Sequence, residues 1–92
     1  MSDPERTAIE RAIGRALLER WDPLGVHEQP GEHGEYTRYV AEIYSLLARG
    51  GSDTQVARRL HQIEREDFGM PESPTRDLSA VLVELRTIEH RI

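Results

Sequence analysis

Apolar residues recur along this 92-residue chain with the spacing of amphipathic helices, and no segment alternates with the period of two typical of strands. The first pattern predicts a helix over residues 4–21, with Asp3 as its cap and Pro4 in its first turn. Pro23 ends it, because proline lacks the amide hydrogen that a helix needs. The positions expected to face the core are Ile9, Ile13, Ala16, Leu17 and Trp21.

The second pattern predicts a helix over residues 35–49 with a broad apolar face and Tyr44 at its edge. Gly50 and Gly51 end this helix, since glycine adopts the left-handed backbone angles of a helix carboxyl end without strain. The residues of the apolar face are Tyr36, Tyr39, Val40, Ile43, Tyr44, Leu46 and Leu47.

A third helix is predicted over residues 53–68 by a capping box at its start. In this motif the Ser52 hydroxyl accepts a hydrogen bond from a backbone amide, and the Gln55 side chain reaches back to the backbone amide of Ser52. Gly69 and Pro71 close this helix. Its apolar positions are Val56, Leu60, Ile63 and Phe68.

The fourth helix is predicted over residues 74–91, with Ser73 as its cap and Pro74 in its first turn. It has the most regular apolar stripe in the chain, formed by Leu78, Val81, Leu82, Leu85, Ile88 and Ile92. The four helices predict one all-α domain over residues 1–92, a small four-helix bundle with a longer loop at residues 22–33 between helices one and two.

The composition excludes several classes of function. No cysteine is present, so thiol catalysis, disulfides and thiolate metal sites are excluded. All twelve basic residues are arginine, a bias typical of GC-rich genomes; they are interleaved with seventeen acidic ones for a net charge of −5. Without a basic face, nucleic acid is not an expected partner. Since no apolar run resembles a signal peptide or a membrane span, we expect a cytoplasmic protein without a membrane partner.

The loop of residues 22–33 contains the residues that most resemble a chemical site. A zinc protease motif needs two histidines four residues apart on one helix. Here His27 and His33 are six apart, and Pro30-Gly31 between them favours a turn. We predict no cofactor, but a metal-binding protein that uses His27 and His33 remains an alternative.

Residues 46–60 resemble the start of a helix-turn-helix domain, which would make the chain a DNA binder. Such a domain needs a tight turn after Leu60, where this sequence continues as acidic helix. DNA binding is therefore kept only as an alternative. The carboxylates of Glu64 and Asp67 are interpreted as a solvated helix face, and no catalytic constellation is found, so we do not expect an enzyme.

Several short motifs occur in a recognisable order. They are Trp21-Asp22-Pro23-Leu24-Gly25-Val26, Glu35-Tyr36-x-x-Tyr39-Val40, Ile43-Tyr44-x-Leu46-Leu47, Val56-Ala57-x-x-Leu60, Ile63-Glu64 and Phe68-Gly69-Met70. Over about residues 17–70 the chain resembles the YugE-like family of small bacterial α-helical proteins of unknown function. The resemblance implies a fold rather than a reaction, and some relatives resemble acidic proteins that neutralise toxins. Gly34 and Thr37 depart from the aspartates frequent in that family.

The leading functional hypothesis is a protein-interaction or adaptor module, because the longest loop contains apolar anchors on an otherwise ordinary bundle. The partner would bind at residues 22–33 and at the exposed edge of helix two. Two alternatives also involve protein–protein contacts: the chain is a toxin-neutralising protein, or it associates with itself. The predicted partner-binding residues are Arg20, Trp21, Asp22, His27, Glu35 and Tyr36.

Overall fold

The computed structural model describes residues 4–23, 36–70 and 77–92, and all regular structure in these ranges is helical. The all-α fold class is thereby confirmed. The helices are α1 (Pro4–Ala16), continued by a π-helical turn (Leu17–Trp21); a 3₁₀ turn (Thr37–Tyr39) leading into α2 (Val40–Ala48); α3 (Asp53–Glu66); and α4 (Ser79–Glu89). No helix in these ranges has both the length and the apolar character needed to cross a bilayer.

The core lies between the apolar stripes of the helices. Helix α1 packs against α2 and α4, and α4 also contacts α2 and α3. The predicted core positions of α1 are all buried, whereas Tyr44 and Leu46 of α2 are only half-buried. Tyr44 lies at the edge, as predicted, where the Arg6 guanidinium stacks 4.5 Å from its ring centroid.

The first helix ends in a wide turn that the sequence pattern did not predict. The Asp22 amide donates to the Leu17 carbonyl at 2.9 Å, a bond spanning five residues instead of four. Leu17 and Trp21, four residues apart, both face the core, at 0% and 2% exposure. Asp22 then adopts left-handed angles, with φ 34° and ψ 59°, and the chain leaves the helix before Pro23 as expected.

The second helix starts later than residue 35, because Tyr36 lies in a turn and Thr37–Tyr39 form a 3₁₀ turn. Its end follows the prediction. The Gly51 amide donates to the Leu46 carbonyl at 2.8 Å, and the Gly50 amide donates to the Leu47 carbonyl at 3.0 Å. This pair of bonds is a Schellman motif, with Gly50 at φ 77°.

The capping box of α3 is confirmed. The Ser52 hydroxyl accepts from the Gln55 amide at 3.1 Å, and the Gln55 side chain accepts from the Ser52 amide at 2.8 Å. The helix ends at Glu66, two residues before the predicted end. Gly69 follows at φ 63°, and the Met70 amide donates to the Glu64 carbonyl at 2.9 Å.

The fourth helix begins at Ser79, five residues after the predicted start. Asp77 accounts for this start, because its carboxylate accepts from the Ser79 amide at 2.9 Å and from the Ser79 hydroxyl at 2.5 Å. The predicted cap, Ser73, and Pro74 lie outside the described residues. Since Leu78 is buried just before the helix, the apolar stripe begins one residue ahead of the helical backbone.

Candidate functional site

Four aromatic rings meet at the end of the bundle where α1 finishes. Trp21 lies 5.3 Å from Tyr36, 6.4 Å from Tyr39 and 6.1 Å from Phe68, measured between ring centroids. Phe68 also lies 6.0 Å from Tyr36 and 5.9 Å from Tyr39. These separations and the tilted or edge-on orientations are favourable for aromatic pairs. We call these four residues the aromatic cluster.

Each polar ring of the aromatic cluster donates a hydrogen bond to a carboxylate. Trp21 Nε1 donates to Glu64 Oε2, Tyr36 donates its hydroxyl proton to Asp22 Oδ1, and Tyr39 donates to Asp67 Oδ2; all three distances are 2.7 Å. Hydrogen bonds to a charged acceptor are shorter and stronger than neutral ones. The network joins the end of α1, the start of α2 and the end of α3.

Glu64 corrects the interpretation of the α3 carboxylates as a solvated face. Its side chain is 0% exposed, and among the described residues it is the buried charged one. Besides Trp21, it contacts His61, whose Nδ1 lies 3.0 Å from Glu64 Oε1. The helical spacing contained a signal for this burial: Glu64 follows Leu60 by four residues and therefore lies on the apolar stripe of α3.

Asp67 is exposed as predicted, yet it is also part of the network through its bond with Tyr39. Burial raises the pKa of the Tyr39 hydroxyl to about 12, and the hydrogen bond to Asp67 and the charge of that carboxylate add to the effect. The Tyr39 hydroxyl therefore keeps its proton at ordinary pH and donates it to Asp67 in the hydrogen bond.

The structure brings together three of the six predicted partner-binding residues. Trp21 and Tyr36 pack ring against ring and are each 2% exposed, and Asp22 is half-buried beside them. Arg20 is exposed on the last turn of the first helix. The other two, His27 and Glu35, lie outside the described ranges. So does His33, which together with His27 is a candidate metal ligand.

The chemical character of this region is that of a buried polar network. Trp21 and Tyr36 present their polar atoms to carboxylates, so they act as anchors of the fold and not as surface contacts.

Within residues 4–23, 36–70 and 77–92, no three histidine or acidic side chains are grouped so that they could hold a metal ion. Helix α3 runs without interruption from Asp53 to Glu66, through the place where a helix-turn-helix domain has its turn.

Comparisons with known proteins identify no relative of this chain. No protein-family model, no curated protein and no solved structure matches this chain. The resemblance to the YugE-like family therefore stays a prediction, with its motif residues Trp21, Tyr36 and Tyr39 placed in the aromatic cluster.

Proposed function

We propose that this chain is a non-enzymatic protein-interaction module that binds its partner at the end of the bundle closed by the aromatic cluster. The observation that carries the proposal is the 2.7 Å hydrogen bond from the Tyr36 hydroxyl to Asp22. It joins two residues fourteen positions apart, on either side of residues 23–35. The predicted binding residues His27 and Glu35 belong to the stretch of chain between these two anchors.

The anchors support binding for an entropic reason. The Asp22 amide donates to the Leu17 carbonyl at the end of the π-helical turn, and the Tyr36 ring packs against Trp21 and Phe68. Both ends of the intervening chain are therefore fixed relative to the helices. A binding segment whose ends are already ordered loses less conformational entropy when a partner engages it.

Arg20 supplies a contact at the described edge of this surface. It precedes Trp21 in the π-helical turn, and it is exposed while its neighbour is buried. An exposed guanidinium beside a fixed backbone suits a carboxylate on a partner, because arginine binds carboxylates through two parallel hydrogen bonds. Charged groups at the rim of an interface affect specificity and association rate more than total affinity.

The test is quantitative affinity capture from a bacterial lysate with four proteins: the wild type, Arg20→Ala, the double variant His27→Ala/Glu35→Ala, and Arg58→Ala. Arg58 is a matched control, an exposed arginine on α3 in another part of the surface. We expect one set of captured proteins that both site variants lose and Arg58→Ala retains. Capture lists that are the same for all four proteins, or empty, would contradict the proposal.

Tyr36→Phe tests the role of the anchors separately from direct contact. It keeps the ring in the aromatic cluster and removes the hydroxyl that binds Asp22. We expect weakened capture with an unchanged helical circular dichroism spectrum. If a captured protein is a toxin whose activity falls on binding, the toxin-neutralising alternative describes the same interaction more closely.

A further inference from the structure

The π-helical turn at the end of the first helix decides which side chain faces the core there. The residues before Trp21 that lie on the buried side are Ile9, Ile13, Ala16 and Leu17. If the α-helix continued regularly, at about 100° per residue, Arg20 would point along their mean direction. Trp21 would point roughly 95° away from that direction. A regular helix would therefore turn Arg20 towards the core and leave Trp21 at the side of the helix.

The structure shows the reverse arrangement. Arg20 is exposed, whereas Trp21 is buried. Because the Asp22 amide donates to the Leu17 carbonyl five residues back, this turn contains one residue more than an α-helical turn. The extra residue brings Trp21 into the direction that Arg20 would otherwise take. We call the observed arrangement the π register and the arrangement with a regular helix the α register.

The π register carries two local costs. A π-helical turn is rare, and such turns occur mostly as single interruptions of α-helices, frequently at functional sites. Asp22 has φ 34°, and among the described residues it is the non-glycine residue with a positive φ. Left-handed angles are unfavourable for a residue with a Cβ, and the following Pro23 favours extended angles instead. Neither cost arises in the α register, in which Asp22 can take extended angles before Pro23.

Contacts of the buried indole offset these costs. Trp21 packs against Tyr36 at 5.3 Å between ring centroids. Its indole nitrogen donates to the Glu64 carboxylate, which is fully buried and therefore costly without hydrogen-bond donors. In the α register the Arg20 guanidinium points to the same side of the helix, and a guanidinium is a strong donor to a carboxylate. Each register therefore supplies Glu64 with a donor, either Trp21 or Arg20.

We propose that the end of the first helix is a conformational switch between these two registers. In the π register, which is the major state, Trp21 is buried against Glu64 and Arg20 is exposed. In the α register, which is the minor state, Arg20 turns inward to Glu64 and Trp21 turns out to the surface. The shift also releases Asp22 from the Tyr36 hydroxyl. Minor states of such equilibria are populated at about 0.1–10%.

The switch changes the surface that the bundle presents at this end. The π register presents the Arg20 guanidinium, and the α register presents the Trp21 indole in its place. Exposed tryptophans are frequent anchors of protein interfaces. A partner with an apolar pocket for an indole would select the α register. This consequence for binding rests on the proposed function, whereas the switch itself does not.

Nitrogen-15 relaxation dispersion on the isolated protein measures the exchange, because helix register shifts occur within microseconds to milliseconds. We expect dispersion at the Trp21 indole nitrogen and at the backbone amides of residues 17–22, with one common rate. Deletion of Glu19 shortens the turn by one residue, so a regular α-helix then places Trp21 on the buried side. The dispersion should disappear in this deletion variant.

Substitutions should change the equilibrium in opposite directions. Arg20→Glu should abolish the dispersion, because the α register would bring two carboxylates together. Arg20 is exposed, so this change leaves the core of the major state intact. Arg15→Glu, the matched control, makes the same charge change at an exposed position of α1 and should keep the wild-type dispersion. Tyr36→Phe removes the hydrogen bond to Asp22 and should raise the minor population about fivefold.

Three results would overturn the proposal. They are a wild type without dispersion at Trp21, dispersion that persists after deletion of Glu19, and dispersion that Arg20→Glu leaves at the wild-type amplitude. None of them bears on the affinity capture with Arg20→Ala. An empty capture list, in turn, leaves the dispersion of the isolated protein unchanged, so the two proposals fail separately.

Discussion

Trp21 and Glu64, forty-three residues apart, are joined by a 2.7 Å hydrogen bond from the indole nitrogen to a fully buried carboxylate. The bond ties the π-helical turn at the end of the first helix to the last two turns of α3. A buried carboxylate is costly unless donors compensate it, and Trp21 is one of the donors that do so here. This relationship explains why a glutamate is tolerated on the apolar stripe of α3.

Replacement of Trp21 by phenylalanine should therefore destabilise the fold. We expect Trp21→Phe to lower the free energy of unfolding by about 3 kcal/mol, because Glu64 loses a donor and the smaller ring leaves a gap. Urea denaturation followed by far-ultraviolet circular dichroism measures this loss without depending on tryptophan fluorescence. Glu64→Gln, which keeps an oxygen acceptor for Trp21, should cost less than Glu64→Ala. A loss for Trp21→Phe below about 0.5 kcal/mol would contradict the argument.

The raised pKa of Tyr39 predicts a loss of folding stability at high pH. Its pKa is about 12 in the folded protein, against an ordinary value of 10.0. The folded state therefore holds the phenol proton more tightly, and the resulting stabilisation is present below pH 10 and is lost as the pH rises towards 12. Urea unfolding at several values between pH 8 and pH 12 should show a steeper decline for the wild type than for Tyr39→Phe. Parallel declines in the two proteins would exclude Tyr39 as the cause.

The two glycines after α2 should differ in their response to alanine. A Cβ at Gly50 meets open space, but its φ of 77° is unfavourable for alanine, so Gly50→Ala should cost about 1 kcal/mol. A Cβ at Gly51 would lie 2.8 Å from the Leu46 carbonyl oxygen, so Gly51→Ala must shift the backbone and should cost more. Gly50→Asn is the matched control, because asparagine tolerates left-handed angles and should cost less than alanine. Thermal unfolding of the three variants gives the order.

The cap of α3 gives a fourth prediction. Ser52→Ala removes the acceptor of the Gln55 amide and should cost about 1 kcal/mol in urea denaturation. Ser52→Asp restores an acceptor and adds a negative charge at the helix amino end, so it should recover most of that loss. If aspartate is as damaging as alanine, the capping bond does not explain the stability of this helix start.

The sequence by itself determined the helices and several of their ends. The capping box at Ser52 and the glycine end at Gly50 follow from bonds between residues three to five apart, so a local pattern is enough to specify them. The core stripes follow in the same way, because helical periodicity places residues three and four apart on one face. The predicted start of α4 at residue 74 was wrong for a related reason. Both Ser73-Pro74 and Asp77-Leu78-Ser79 resemble helix starts, and local spacing could not show which of the two is used.

The tertiary structure alone decided what the polar residues do. Helical spacing places Glu64 on the apolar stripe of α3, but the donor that compensates its buried carboxylate, Trp21, approaches from another helix and is not encoded along α3. The predicted site residues Trp21 and Tyr36 were likewise expected at a binding surface, and they lie in the interior because each finds a carboxylate partner there. Burial of an ionisable or aromatic side chain depends on which donors and acceptors the packed helices bring together, and those partners are distant in sequence.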